Sequence, residues 1–433
     1  MTTAALRALP RSIRPADAGG TTAATAPAAA PRRIPALWLA LLATPIAATA
    51  NAPVLILPEI AGDLGTSTAT ATWLVTTFAW AMAVGTPLVA GLLRRRGAAA
   101  ALRTGTFAVV LGTLAVALSP WLPLLLVGRA AQAFGGAALI TVAMNLAGDV
   151  RRMGVITAGF AMWGAVGPLA GSAVTSAFSW RAALVISAVG LLAVPAVAAH
   201  LRTLERHDAA RSGTSGRPAG PGADQAFDAR GAVALVTLVT ALVLLPHFTL
   251  PSLAVAVVAA VLLALHVRTR PVGFVPVALL RSPVFLASAG LAGALSTAYF
   301  GLLFAVPRLM DDATAWTKGT IGVAQMAALL VGGAASWVLA AVSGRLGRGR
   351  VTAVLVALGV AGPLAAVFAP WAPVLVVVPA LAVLAASGGL STLSVRASEA
   401  APAPLRPAAI GLLNLTYQLG GAFGPAIALI AVS

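Results

Sequence analysis

The sequence predicts an all-α protein that crosses a membrane many times. Three observations carry that prediction. Of the 433 residues, 60% are hydrophobic and only 9% are charged, whereas a soluble domain carries about 25% charge. The apolar residues form long runs divided by short joints, and runs near 20 residues match the hydrocarbon thickness of a bilayer. The net charge of +17 is spread over those joints instead of forming one patch, so it sets topology and excludes nucleic acid as a partner. There is no cysteine, hence no disulfide and no thiolate metal site. No Ser/His/Asp or metal-ligand cluster falls within the spans, which argues against a membrane enzyme. The bias toward alanine and arginine, with Lys318 the single lysine, suggests a high-GC bacterial source.

Taken in order, residues 1–33 are rich in Ala, Thr, Pro and Arg and read as a disordered cytoplasmic tail. The first apolar run is too long for a signal peptide, and further spans follow it. Six spans then occupy 35–57, 71–93, 105–118, 121–146, 154–178 and 182–200. Residues 201–230 are charged and rich in Gly and Pro and read as a cytoplasmic linker. Two short apolar segments follow at 232–245 and 253–266, both below the usual length of a span. Five more runs lie at 284–306, 321–342, 351–368, 373–393 and 408–432, making thirteen spans. Of the 28 lysines and arginines, Arg129 is embedded, and Arg181, Arg308 and Lys318 fall outside if the amino terminus is cytoplasmic. The remaining 24 arginines fall inside. This asymmetry predicts a cytoplasmic amino terminus and an outer carboxyl end.

Spans four and five carry the chemistry. From Trp121 to Leu146 only Arg129, Gln132 and Asn145 interrupt apolar or small residues. Arg129 lies about eight residues, or roughly 12 Å, into the span. A charge at that depth must face protein or a water-filled cavity. The next span holds Gly159, Gly164, Gly167, Pro168 and Gly171. Its glycines allow close backbone approach, and Pro168 removes one helical hydrogen bond. A buried arginine before a glycine-proline helix suggests a protein that moves something through a membrane.

These residues also resemble a family. Arg129-x-x-Gln132-x-x-Gly135-x-Ala137 resembles the fourth-helix motif of the major facilitator superfamily. Gly164-x-x-Gly167-Pro168-x-x-Gly171 resembles the fifth-helix motif of its drug:proton antiporter branch. Ser179-Trp180-Arg181 and the Trp73–Phe78 segment are similar to its fourteen-span members. The resemblance covers most of 34–433. It implies two pseudo-symmetric bundles around a central cavity: a six-helix bundle at 34–200 and a second bundle of five helices at 269–433. The segment at 231–268 would be an inserted helix pair. An internal repeat agrees, since Gly164-Ala-Val-Gly167-Pro168 recurs as Gly421-Ala-Phe-Gly424-Pro425. The last helix of the usual fold would then be missing after Ser433.

The sequence departs from the family in two places. The loop after span two reads Ala90-Gly-Leu-Leu-Arg94-Arg95-Arg96-Gly97, with Arg94 where the family has an aspartate that latches the cytoplasmic side. Its second copy, Gly344–Arg350, also lacks an acid. Thr49 stands where many relatives carry an aspartate in span one. No carboxylate lies well inside any span, and Glu59, Asp63 and Asp149 sit at span ends. A proton gradient as driving force is implied by the resemblance and unsupported by these residues. No cofactor is expected.

The expected substrate site is a largely apolar cavity with Arg129 as its main charge, joined by Gln132, Asn51, Asn414, Tyr417 and Gln418. For Arg129 a structural reading competes, in which it pairs with backbone carbonyls or a helix end. The polar groups could equally be helix–helix hydrogen bonds. Gly164, Gly167, Pro168, Gly171, Gly421, Gly424 and Pro425 read as hinges or packing contacts. His200, His207, His247 and His266 read as interfacial. The expected function is a secondary transporter of the bacterial cytoplasmic membrane, exporting amphipathic or hydrophobic small molecules by alternating access. The alternative is a degenerate or truncated relative that does not transport and serves as sensor or subunit. Its partners are the small-molecule substrate and the lipid bilayer, and the sequence carries no signal for oligomeric state.

Overall fold

A computed structural model describes residues 33–212, 228–245, 248–271, 273–368 and 371–432. The expected tail up to residue 32, half of the linker (213–227) and His247 lie outside the described residues. Every regular element among those described is helical. The first span is broken into α1 (Ala36–Asn51) and α2 (Pro53–Asp63), which meet at a 57° bend. Pro53 opens the second piece, a position where its missing N–H is tolerated. The cost falls on the carbonyl four residues earlier, which loses its helical donor.

Helix α3 (Trp73–Ala117) turns at Gly97, with φ 78° and ψ 174°. With the turn Thr68–Ala71 it spans 50 residues, about 75 Å of helix, more than twice the ~30 Å hydrocarbon core. It is two crossings joined at a glycine that alone tolerates this φ. Helix α4 (Leu122–Ala147) stops at left-handed Gly148. Helix α5 (Val150–Ala177) starts where the Asp149 carboxylate accepts the Arg152 N–H at 2.9 Å, an N-cap. A short helix, Trp180–Leu184, and a 3-10 stretch, Ile186–Ala193, lead into α6 (Val194–Ser212). Then follow α7 (Ala229–Leu244), α8 (Thr249–Thr269), α9 (Pro283–Ala313), α10 (Lys318–Leu346), α11 (Arg348–Phe368), α12 (Ala372–Ala400) and α13 (Arg406–Val432).

Among the described residues nine helices are long and apolar enough to cross a membrane, ten with the bent first pair. The thirteen apolar segments of the sequence all coincide with helix. The difference in count comes from the two crossings merged in α3, from the 16-residue α7 and from α13. The halves repeat at a constant interval. Ser67 and Thr317 cap helices by accepting from Thr70 and Thr320 N–H. Gly97 and Gly347 both take positive φ, 78° and 79°. Trp121 and Trp371 precede α4 and α12. Helix α3 packs along α4, α13 along α9, and the halves meet where α5 lies against α10 and α3 against α13.

Candidate functional site

A cavity of about 390 Å³ opens where the two halves meet. The first half contributes Asn51 of α1, Phe78 and Met82 of α3, Met144 of α4, and Thr157, Phe160 and Gly164 of α5. The second contributes Tyr299, Phe300 and Phe304 of α9, Ser387 of α12, and Asn414, Tyr417, Gln418 and Gly421 of α13. The four α13 positions are spaced i, i+3, i+4, i+7 and so share one helix face. Ring centroids of Tyr299 and Phe300 lie 4.7 Å apart, and Phe300 meets Tyr417 edge-on at 6.5 Å, an arrangement aromatic pairs favour. No Asp, Glu, Lys, Arg or His is among the lining residues.

Sequence reasoning missed the aromatic lining. One signal was available: the chain has two tyrosines, and both line this cavity. Asn51, Asn414, Tyr417, Gln418, Gly164 and Gly421 also line it, but Arg129 and Gln132 do not. The expectation that Arg129 is the main charge of the cavity is therefore corrected. Its guanidinium is fully buried, with no exposed surface. Nη2 donates to the Thr49 carbonyl at 3.1 Å, and Nη1 donates to Gln132 Oε1 at 3.3 Å. Its carbon lies 4.2 Å from the centroid of the Phe78 ring, a cation–π contact. Phe78 is the shared residue, lining the cavity and carrying the guanidinium on its face. Gln132 is spent as well, because Nε2 donates to the Leu184 carbonyl at 3.1 Å.

The reason Arg129 points at Thr49 is Pro53. In an unbroken helix the N–H of residue 53 would serve the Thr49 carbonyl, and proline has none. Arg129 supplies the missing donor from another helix. The same logic explains Asn51. Pro168 deprives the Gly164 carbonyl of its helical donor, and Asn51 Nδ2 donates to it at 2.9 Å. In the second half Pro307 lies inside α9, and the carbonyl it frees, Leu303, accepts from Gln325 Nε2 at 2.7 Å. An orphaned carbonyl at membrane depth is costly, and each of these three has a side-chain donor.

The motif glycines lie at helix contacts. A Cβ on Gly167 would stand 2.7 Å from the Ala48 carbonyl oxygen, and one on Gly171 equally near that of Ala52. A Cβ on Gly424 would stand 2.6 Å from the Gly301 nitrogen. At Gly421 it would meet only the Phe300 ring, at 3.4 Å and beyond. The side chain of Pro425 lies outside the described residues.

Two polar clasps lie away from the cavity. At one, Asp63 accepts from Trp180 Nε1 at 2.9 Å and from Arg181 Nη1 at 3.1 Å, so the Ser179-Trp180-Arg181 motif ties the end of α2 to the start of the short helix at 180. The other was not foreseen. Asp228 is the only buried carboxylate among the described residues. It accepts from Gly231 N–H at 3.0 Å, Phe274 N–H at 2.8 Å and pairs with His266 Nε2 at 2.6 Å. Burial alone would raise its pKa, but these backbone and histidine bonds together hold it below the usual carboxylate value. Arg94, where the family has its acid, donates to the carbonyl of Gly273 at 3.2 Å. Arg94 and Asp228 thus grip consecutive residues of the segment that leads into the second half.

Comparisons with known proteins agree with this architecture. A family model described as Major Facilitator Superfamily matches residues 37–425. The chain is 29% identical to the methylenomycin A resistance protein of Streptomyces coelicolor, over 94% of this chain and 88% of that one. Among solved structures it is similar to the human organic anion transporter MFSD10 (TETRAN), with a TM-score of 0.60 at 16% identity, covering 92% of this chain and 93% of that one. It is also similar to the proton:xylose symporter XylE, with a TM-score of 0.56 at 12% identity, covering 91% and 88% of the two chains. At such identities the structures show the fold alone. The family model spans nearly the whole helical array, from α1 into α13, and the chain therefore belongs to the Major Facilitator Superfamily, whose members are membrane transporters and not enzymes.

Proposed function

We propose that this transporter exports neutral, amphipathic or hydrophobic small molecules across the bacterial cytoplasmic membrane by alternating access. The observation that carries this reading is the cavity between the halves, lined by aromatic rings, amides and hydroxyls without one formal charge. Aromatic faces bind apolar bodies, and a few convergent polar groups orient them. A charged substrate would lose its hydration there with no ion to replace it. Similarity to a protein named for resistance supports the outward direction. Rocking of the halves about the cavity is supported by the glycine contacts, which join α1 to α5 and α9 to α13 within each half. The amino terminus is cytoplasmic in this reading, from the arginine distribution. A proton-linked step would have to use a group outside the cavity lining.

The test is efflux from a bacterial host lacking its own pumps, with dyes of matched size that are neutral, cationic or anionic. Neutral dyes should leave fastest. Tyr417→Ala and Phe300→Ala should each slow their export about tenfold at normal membrane abundance, the loss expected from about 1.4 kcal/mol of ring contact. Faster export of a charged dye, or full activity in both variants, would overturn the reading.

A further inference from the structure

We propose that the groove between α7 and α8, on the outer side of the helix pair, binds one anionic phospholipid of the inner leaflet. The groove encloses about 690 Å³. Its walls are apolar and outward-facing, with Val233, Val258 and Leu262 each more than half exposed. Alanines form much of the rest, leaving room for a chain along the groove. One end is basic. Arg230 and His266 close it, and exposed Arg268 and Arg270 follow on the same end of α8. No acid is among the lining residues, and the neighbouring Asp228 is engaged by His266, Gly231 and Phe274.

An apolar trough ending in cations fits a molecule with a hydrocarbon tail and an anionic head. Basic pockets between helices at the cytoplasmic face recognise lipid phosphates. A second copy of the chain fits poorly, since a two-fold contact through this face would set Arg230, Arg268 and Arg270 against themselves. Placement in the inner leaflet rests on the cytoplasmic amino terminus proposed above; the head-group preference does not.

The chain has no cysteine, so a single Val258→Cys can carry a fluorophore in the full-length protein. The labelled protein is reconstituted in phosphatidylcholine vesicles. These contain increasing fractions of phosphatidylglycerol or phosphatidylcholine with brominated tails, which quench on contact. Brominated phosphatidylglycerol should reach half-quenching at about fivefold lower fraction, the factor expected from one arginine near an anionic head. Arg230→Ala should abolish that preference, while Arg345→Ala, an exposed arginine on α10, should leave it. A label at Val331, exposed elsewhere on α10, should show no preference. Equal quenching by the two lipids, or a preference that survives Arg230→Ala, overturns the proposal. Loss of the preference on adding inorganic phosphate in low-millimolar amounts would also overturn it, by showing a simple anion site.

Discussion

Helices α4 and α12 hold equivalent places in the two halves. From Trp121 to Met144 and from Trp371 to Ser394 the order of buried, half-buried and exposed positions is the same, residue for residue. Yet where α4 carries Arg129 and Gln132, α12 carries Pro379 and Ala382. The same burial is therefore reached without a charge, and packing alone does not call for one. What differs is the neighbour. In the first half Pro53 breaks the first span and frees the Thr49 carbonyl. In the second half α9 runs on through Pro307, which frees the Leu303 carbonyl, and Gln325 of α10 donates to it. At Pro53 and at Pro307 the donor comes from a neighbouring helix to the carbonyl that the proline frees.

The largest effect should come from removing that donor. Arg129→Ala takes the donor from the Thr49 carbonyl and from Gln132 Oε1 beside a new void, and should lower stability in detergent by about 3–5 kcal/mol. Pro379→Ala at the matching place should change it by less than about 1 kcal/mol. Arg129→Lys keeps the charge but not the flat fork that reaches Thr49 and Gln132 while lying on Phe78. It should accumulate normally and export about tenfold more slowly. Similar thermal midpoints for Arg129→Ala and Pro379→Ala would dissolve the contrast between the halves.

A double-mutant cycle sharpens the cause. Pro53→Ala returns an N–H to the Thr49 carbonyl, so Arg129→Leu should cost less in that background than alone, by about 1–2 kcal/mol of coupling. Additive losses would mean that Arg129 is held by something other than the freed carbonyl.

The motif glycines offer a second contrast of moderate size. Gly167→Ala pushes a methyl into the Ala48 backbone and should cost about 1–3 kcal/mol. Gly421→Ala meets only the movable Phe300 ring and should fall within about 0.5 kcal/mol. Thermal unfolding of both variants decides it, and equal losses would remove the distinction.

The smallest effect concerns the Asp228 clasp, which has no counterpart described in the first half. Its carboxyl is held below the ordinary value, so its contribution is present at neutral pH and is lost as pH falls through that lowered value. Amide exchange at Gly231 and Phe274 should stay slow from pH 7 to about 5 and speed up severalfold, beyond the intrinsic rate, only below about 4. Asp228→Asn should show the faster exchange at every pH. An acceleration already at pH 6 would mean that the carboxyl of Asp228 is not held low.

The sequence by itself determined the class, the thirteen helical segments, the repeat of the halves and the family. Each rests on local properties: run length against membrane thickness, glycine and proline at fixed spacing, a lone charge in an apolar span. It also singled out Arg129, Gln132 and Asn51, because polar groups stand out against such a background. Only the tertiary structure decided what those groups face. Most of these helices are apolar on every side, so no amphipathic stripe tells cavity from lipid or from a packed neighbour. The proline that frees a carbonyl is visible at Pro53 and Pro168, but its donors, Arg129 and Asn51, come from helices far along the chain. Asp228 and His266, which looked like linker and interface, met only because α7 and α8 lie side by side. Where a hydrogen bond must be made inside a membrane is local in the sequence; which side chain makes it depends on which helices pack together.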